Sequence, residues 1–126
     1  EVEAWAVETG RHDDPDVQER IGRARAEAEV ALLLRRRCTW MDEAGIPRGI
    51  EGPMAKLFSS ESLTRAAQDL FDLVGPDALR SFLDPTAPRA GRIEYLMRFS
   101  LGTTIYAGTS EVQRTMIAQR GLGLPR

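Results

Sequence analysis

Apolar residues recur along this chain at steps of three and four, and almost nowhere at every second position, so the pattern is helical throughout. A short segment at about 2 to 9 opens the chain and reads as the tail of a longer helix that begins upstream. Asp13 and Asp14 then precede Pro15, a capping acid followed by proline in the first turn. From there Val17, Ile21, Ala24, Ala28 and Leu32 step by four, three, four and four. Leu34, Cys38 and Met41 continue the surface to about Ala44, where Gly45 and Pro47 stop it. A helix of that span is roughly 45 Å long and needs long partners to cover it.

The next predicted helix runs from about Ile50 to Val74, with Leu57, Leu63, Ala66, Leu70, Phe71 and Val74 among its apolar positions, and Gly75-Pro76 ends it. Pro76, Pro85, Pro88 and Gly91 make 76–92 a loop with room for a helical turn at 77 to 83. A third main helix covers about 91 to 105, and Gly108 breaks the chain again. The last helix starts at Thr109 or Ser110. Ser110 with Gln113 three residues on fits a capping box, and Glu111 places a carboxylate in the first turn, where the helix dipole favours it. Gly121 and Gly123 end it. The predicted fold is all-α, an up-and-down four-helix bundle.

A chain of 126 residues suffices for one domain with a single core. Its net charge of -2 recommends neither a nucleic acid nor an anionic membrane as partner. No apolar run approaches the roughly 20 residues of a membrane span, and no basic segment followed by an apolar stretch marks a signal peptide. The single cysteine, Cys38, fits a reducing cytoplasm, and its place in an apolar stripe predicts a buried, inert thiol. Of 17 basic residues all but Lys56 are arginine, the codon bias of a GC-rich genome. Arg35, Arg36 and Arg37 point three ways around a helix, as a solvated or ion-paired face does. His12 sits in a polar turn with a surface role, no spacing suggests a metal site, and Trp5 and Trp40 read as packing residues.

The terminal segment IYAGTSEVQRTMIAQRGLGLPR, residues 105–126, closely resembles the C-terminal signature of acyl-CoA dehydrogenases. Upstream, MAKLFSSESLTRAAQDLFDLVGP at 54–76 is similar to the family helix that ends in a Q-x-x-G-G turn. YLMRFSLGTTIYAGT keeps the family spacing from L-M-R to the G-T pair, and AVETGRHDDP resembles the end of the helix carrying E-R-x-x-F-G. On this resemblance residues 1–126 are the C-terminal helical domain of an FAD-dependent enzyme whose N-terminal helical and middle β domains lie outside the chain. The resemblance implies α,β-dehydrogenation of an acyl-CoA to a 2,3-enoyl-CoA, with electrons passed to an electron-transfer flavoprotein. It further implies a homo- or heterotetramer in the cytoplasm, serving lipid degradation, with each FAD site shared between two chains. The 126 residues alone are expected to be inactive.

Ala107 occupies the x of Y-x-G-T, where the medium- and short-chain branches carry the catalytic glutamate. Alanine can abstract no proton, so no catalytic residue is assigned within this chain. The base is either upstream, on the preceding helix as in other branches, or missing. Thr109 and Glu111 match positions that touch FAD in the family, and Gly108 lets the backbone come close; the same residues also read as a turn glycine and a helix cap. Gly75 survives from the G-G turn. Arg11 lies two residues beyond Glu8-Thr9, which stand where the family places an arginine on the FAD pyrophosphate. With Asp72 in place of a glutamine that meets the flavin, and Pro76 in place of the second glycine, these departures imply altered or half-site cofactor binding. They also leave open a second function, a catalytically silent structural subunit paired with an active paralogue.

Overall fold

The computed structural model describes residues 1–125. Five helices follow one another: α1 (Val2–Glu8), α2 (Pro15–Glu43), α3 (Glu51–Val74), α4 (Arg92–Thr103) and α5 (Ser110–Leu122). No strand occurs among the described residues. The start of α2 follows its sequence signal: the Asp14 carboxylate accepts from the Asp16 amide at 3.0 Å, and Pro15 occupies the first position, where no amide proton is missed.

Cross-helix pairs give the register. Arg37 meets Glu51, Arg65 meets Glu27 and Arg20 meets Asp69, so α2 and α3 run antiparallel. On the opposite flank of α3, the Thr64 hydroxyl donates toward the Ser100 carbonyl at 3.0 Å and that of Thr103 toward Ser60, which sets α4 antiparallel as well. Ser60, Ser100 and Thr103 are buried, and these short side chains let the two backbones approach closely. The third partner of α3 is α5, through Arg114–Glu61 at 2.6 Å and the packing of Gly121 on Ile50. Thus α3 is the axis of the bundle.

The core lies at one end. Val2, Trp5 and Ala6 of α1, Val17 and Ile21 of α2, Leu73 and Val74 of α3, Ala78 and Ile93 form one buried cluster, with Leu70 and Phe71 packed on it. Cys38 is buried, as the apolar stripe requires. Trp40 is not a packing residue: it is 57% exposed, on a face of α2 that no described helix covers. The 76–92 loop carries two 3₁₀ turns, Gly75–Leu79 and Pro88–Gly91, rather than one turn at 77 to 83. Gly121 stays inside α5, and Gly123 alone, at φ 66°, ends it. At Gly121 a Cβ would stand 3.1 Å from Ile50, so the glycine serves helix contact rather than termination.

Candidate functional site: the α4–α5 turn

Between α4 and α5 the chain turns through Ala107 at φ 56° and Gly108 at φ 91°, two successive left-handed residues. The buried Gln113 side chain holds this turn by donating its amide toward the Ala107 carbonyl at 3.0 Å and the Gly108 carbonyl at 3.4 Å. A Cβ at Gly108 would come within 2.6 Å of that amide nitrogen, so glycine is needed there on both counts. The capping box expected from Ser110 and Gln113 is absent. Thr109 is the cap: its hydroxyl accepts from the Val112 amide at 3.4 Å, while Ser110 is drawn one residue into the helix and buried. Gln113 is thereby freed to reach back to the turn.

Glu111 completes the helix start. Hydrogen bonds from its own amide and from the Thr109 hydroxyl hold its carboxyl below the usual carboxylate range. This acid is ionised at neutral pH and is a poor proton acceptor. It also fills the positive end of α5 from within the chain, leaving that terminus unsuited to a second anion. Because its folded pKa is depressed, the stability it adds is present above the unfolded pKa and is lost as pH falls through the folded value. Glu111→Gln is therefore expected to flatten the fall in stability between about pH 5 and pH 3 in urea unfolding. An unchanged acid limb would remove Glu111 from the cap.

The turn overlooks a cleft of about 280 Å³ walled by Lys56, Ser60, Leu63, Phe99, Tyr106 and Ala107. Ala107 thus faces a cavity but carries nothing that could act in it. The other predicted residues lie elsewhere. The Arg11 guanidinium donates to the Leu73 carbonyl at 3.4 Å and to Asp14 at 3.2 Å, and lies 5.3 Å from the Trp5 ring centre. Gly75 caps α3 at φ 76°, ψ -149°, a conformation open essentially to glycine alone, with nothing within 4 Å of where a Cβ would stand. Arg11 and Gly75 therefore share one end of the bundle, while Gly108, Thr109 and Glu111 sit at the level of residues 56–61 of α3. Along the helix axis that separation is roughly 20 to 30 Å. The structure makes two clusters of the five residues, not one site.

The departures from the family pattern are accommodated locally. Glu8 pairs with Arg89 at 2.5 Å, so its charge is neutralised within the chain. The Thr9 hydroxyl donates to the Trp5 carbonyl at 2.8 Å, and Asp72 and Pro76 are exposed. Arg35 and Arg36 are exposed, and Arg37 pairs with Glu51 at 3.6 Å. His12 contacts Asp13 at the surface. Sequence reasoning missed the Gln113 clamp and the environment of Lys56. For the first no signal existed beyond the capping-box spacing; for the second the lone lysine among arginines was the clue.

The family model described as acyl-CoA dehydrogenase, C-terminal domain, matches residues 5–122. This chain belongs to the acyl-CoA dehydrogenase family. Acyl-CoA dehydrogenase FadE26 of Mycobacterium tuberculosis is 35% identical over 100% of this chain and 34% of its own length. Among solved structures, the Tcur3481-Tcur3483 steroid ACAD superposes with a TM-score of 0.90 at 31% identity, covering 99% of this chain and 33% of that one. The ChsE4-ChsE5 complex from Mycobacterium tuberculosis gives 0.87 at 33% identity over 100% and 33%. The chain spans about a third of the length of these dehydrogenases. The all-helical bundle read from the sequence is the fold found, and no described helix is long and apolar enough to cross a membrane.

Proposed function

We propose that residues 1–126 are the C-terminal helical domain of a cytoplasmic, FAD-dependent acyl-CoA dehydrogenase completed by N-terminal helical and middle β domains. Its reaction removes hydrogen from the α and β carbons of an acyl-CoA thioester, leaving a 2,3-enoyl-CoA, with an electron-transfer flavoprotein as the acceptor downstream. The observation that carries this reading is the clamped turn at Ala107-Gly108-Thr109. It brings main chain and a capped helix to the rim of a ligand-sized cleft at the place where the resemblance puts the flavin.

The residues present fit that cofactor in part. Glu111 already fills the α5 terminus, so Gly108, Thr109 and Glu111 offer a hydrogen-bonding edge suited to the uncharged flavin end rather than a cradle for phosphate. Arg11 and the open backbone at Gly75 suit the phosphate end, although Arg11 is already held by Asp14 and the Leu73 carbonyl. The distance between the clusters favours two chains each contributing one of them, in a homo- or heterotetramer. When bound, the flavin supplies the hydride acceptor. This chain's share is to present the turn, hold its geometry through Gln113 and wall the cleft against water with Leu63, Phe99 and Tyr106. The proton acceptor comes from outside these residues, since Ala107 has none to give.

A second reading draws on the same alanine and on the two-chain character of the ChsE4-ChsE5 complex: a silent subunit that supports an active partner. One experiment separates the two. The full-length polypeptide, expressed alone, is mixed anaerobically with a panel of saturated acyl-CoA thioesters and its flavin absorbance followed. Bleaching is expected and places the base on this polypeptide. Bound flavin that never bleaches, or no bound flavin, selects the silent subunit.

A further inference from the structure

Lys56 is the single lysine among 17 basic residues. Its ammonium is also the one charged side-chain atom, among the described residues, that is buried without a hydrogen-bond partner in the protein. The arginines beside it are engaged or exposed: Arg114 with Glu61 at 2.6 Å, Arg37 with Glu51 at 3.6 Å, and Arg35 on the surface. Keeping an ammonium out of water without a counter-charge is unfavourable. An isolated buried charge of this kind marks a functional candidate more than a structural one. A guanidinium at the same place would leave up to five donors to satisfy, whereas an ammonium on a four-carbon arm is compact and can swing. The exception to an otherwise all-arginine usage therefore falls at the one buried, unpaired position.

The arm lies in the wall of the cleft that Ala107 overlooks. Around it Leu63, Phe99 and Tyr106 are apolar or aromatic. The Ser60 and Thr103 hydroxyls spend their protons on main-chain carbonyls at 2.8 and 2.6 Å and so offer an anion nothing. The cleft is thus an apolar enclosure with one cation. At about 280 Å³ it is close to the lower bound for ligand pockets and holds the end of an acyl group rather than a whole thioester. A doubly charged phosphate would meet a single ammonium there, together with the field of Glu111, which is close enough to Lys56 to feel its charge. A carboxylate, with one charge, is matched.

We propose that Lys56 makes this cleft selective for acyl thioesters whose acyl group ends in a carboxylate. The proposal rests on the dehydrogenase reading and narrows its substrate class. The apolar walls take the methylenes, and the ammonium turns from the wall to meet the terminal anion. Lys56 is a specificity residue, not a catalytic one.

The test uses the full-length flavoprotein with any partner it requires. Flavin bleaching is measured with pairs of acyl-CoA thioesters of equal length, one ending in methyl and one in carboxylate. The wild type is expected to prefer the carboxylate by about tenfold in kcat/KM, expressed in KM. Lys56→Met is expected to bring the ratio to about one, and Lys56→Arg to fall between. Equal use of both substrates by the wild type overturns the proposal and leaves the dehydrogenase reading standing. So does a proportional loss on both in Lys56→Met, which is a structural role, or a carboxylate of a partner chain closing on Lys56. If no thioester bleaches the flavin, the dehydrogenase reading fails, and binding decides the proposal instead. Lysines are methylated with ¹³C-formaldehyde, and the resonance missing in Lys56→Arg is followed by NMR. A saturable shift with hexanoate but not hexanamide sustains the carboxylate site; no shift with hexanoate ends it.

Discussion

Gly91→Ala is expected to destabilise the domain by about 3 kcal/mol or more. Gly91 sits at φ 72°, where an L-residue already costs about 1–2 kcal/mol. The larger part of the loss is steric. A Cβ there would lie 2.2 Å from the Phe82 amide nitrogen and 2.5 Å from the Ser81 carbonyl carbon, and backbone cannot rotate aside as a side chain can. Relief would require the 76–92 loop to move away from the start of α4, where Ile93 is buried in the core. Gly10 and Gly45 serve as controls: at φ 70° and 67° they have the same backbone requirement, yet nothing lies within 4 Å of a Cβ at either. Gly10→Ala and Gly45→Ala should each cost only about 1 kcal/mol. Urea midpoints for the three variants make the comparison, and a loss at Gly91 no larger than at Gly45 would show that the loop gives way.

Gly91 also marks where sequence reading stops. The elements themselves were legible, because each boundary carries a local cause: the Asp14-Pro15 cap, the Gly45 stop, the break at Gly108. Periodicity identified Val17, Ile21 and Cys38 as buried because a stripe at helical spacing must face something. The same rule failed at Trp40, since a stripe says that a face is apolar and not which neighbour covers it. Loop 76–92 was opaque for a different reason. Proline and glycine forbid a long helix, but Arg89, Ala90 and Gly91 in successive left-handed conformations are fixed by contacts with Phe82 and with Glu1 and Glu8, far away in sequence. At the candidate site, motif resemblance located Gly108, Thr109 and Glu111. It did not reveal that Arg11 and Gly75 lie at the other end of α3, since distance along a helix axis is a property of the packed bundle. Nor could it assign Gln113 to the turn: spacing placed it in a capping box, and only the shift of the cap to Thr109 turns its amide toward Ala107.

Trp5→Ala should cost about 3–5 kcal/mol, the range for removing a large aromatic side chain from a core. Trp5 is 6% exposed and belongs to the one cluster that unites α1, α2, α3 and α4, so the cavity would open where four elements meet. Part of the loss is expected to pass through Arg11. The guanidinium lies over the indole and ties the α1–α2 turn to the end of α3 through the Leu73 carbonyl. Arg11→Met, which keeps the aliphatic stem, should cost about 1 kcal/mol, and the double variant should fall short of the sum by about 0.5–1 kcal/mol, the worth of a partly exposed cation–π contact. The cycle bears on function as well as stability. If Arg11 coupled to Trp5 also meets a cofactor phosphate in the full-length protein, Arg11→Met should weaken flavin retention well beyond what its stability loss explains. Lys in place of Arg11 should restore part of that retention but little of the coupling to Trp5, because an ammonium supplies the charge without the planar group that stacks. Retention that follows stability alone across the three variants would make Arg11 a strut of the α1–α2 turn, and would leave the phosphate end of the site to residues outside this chain.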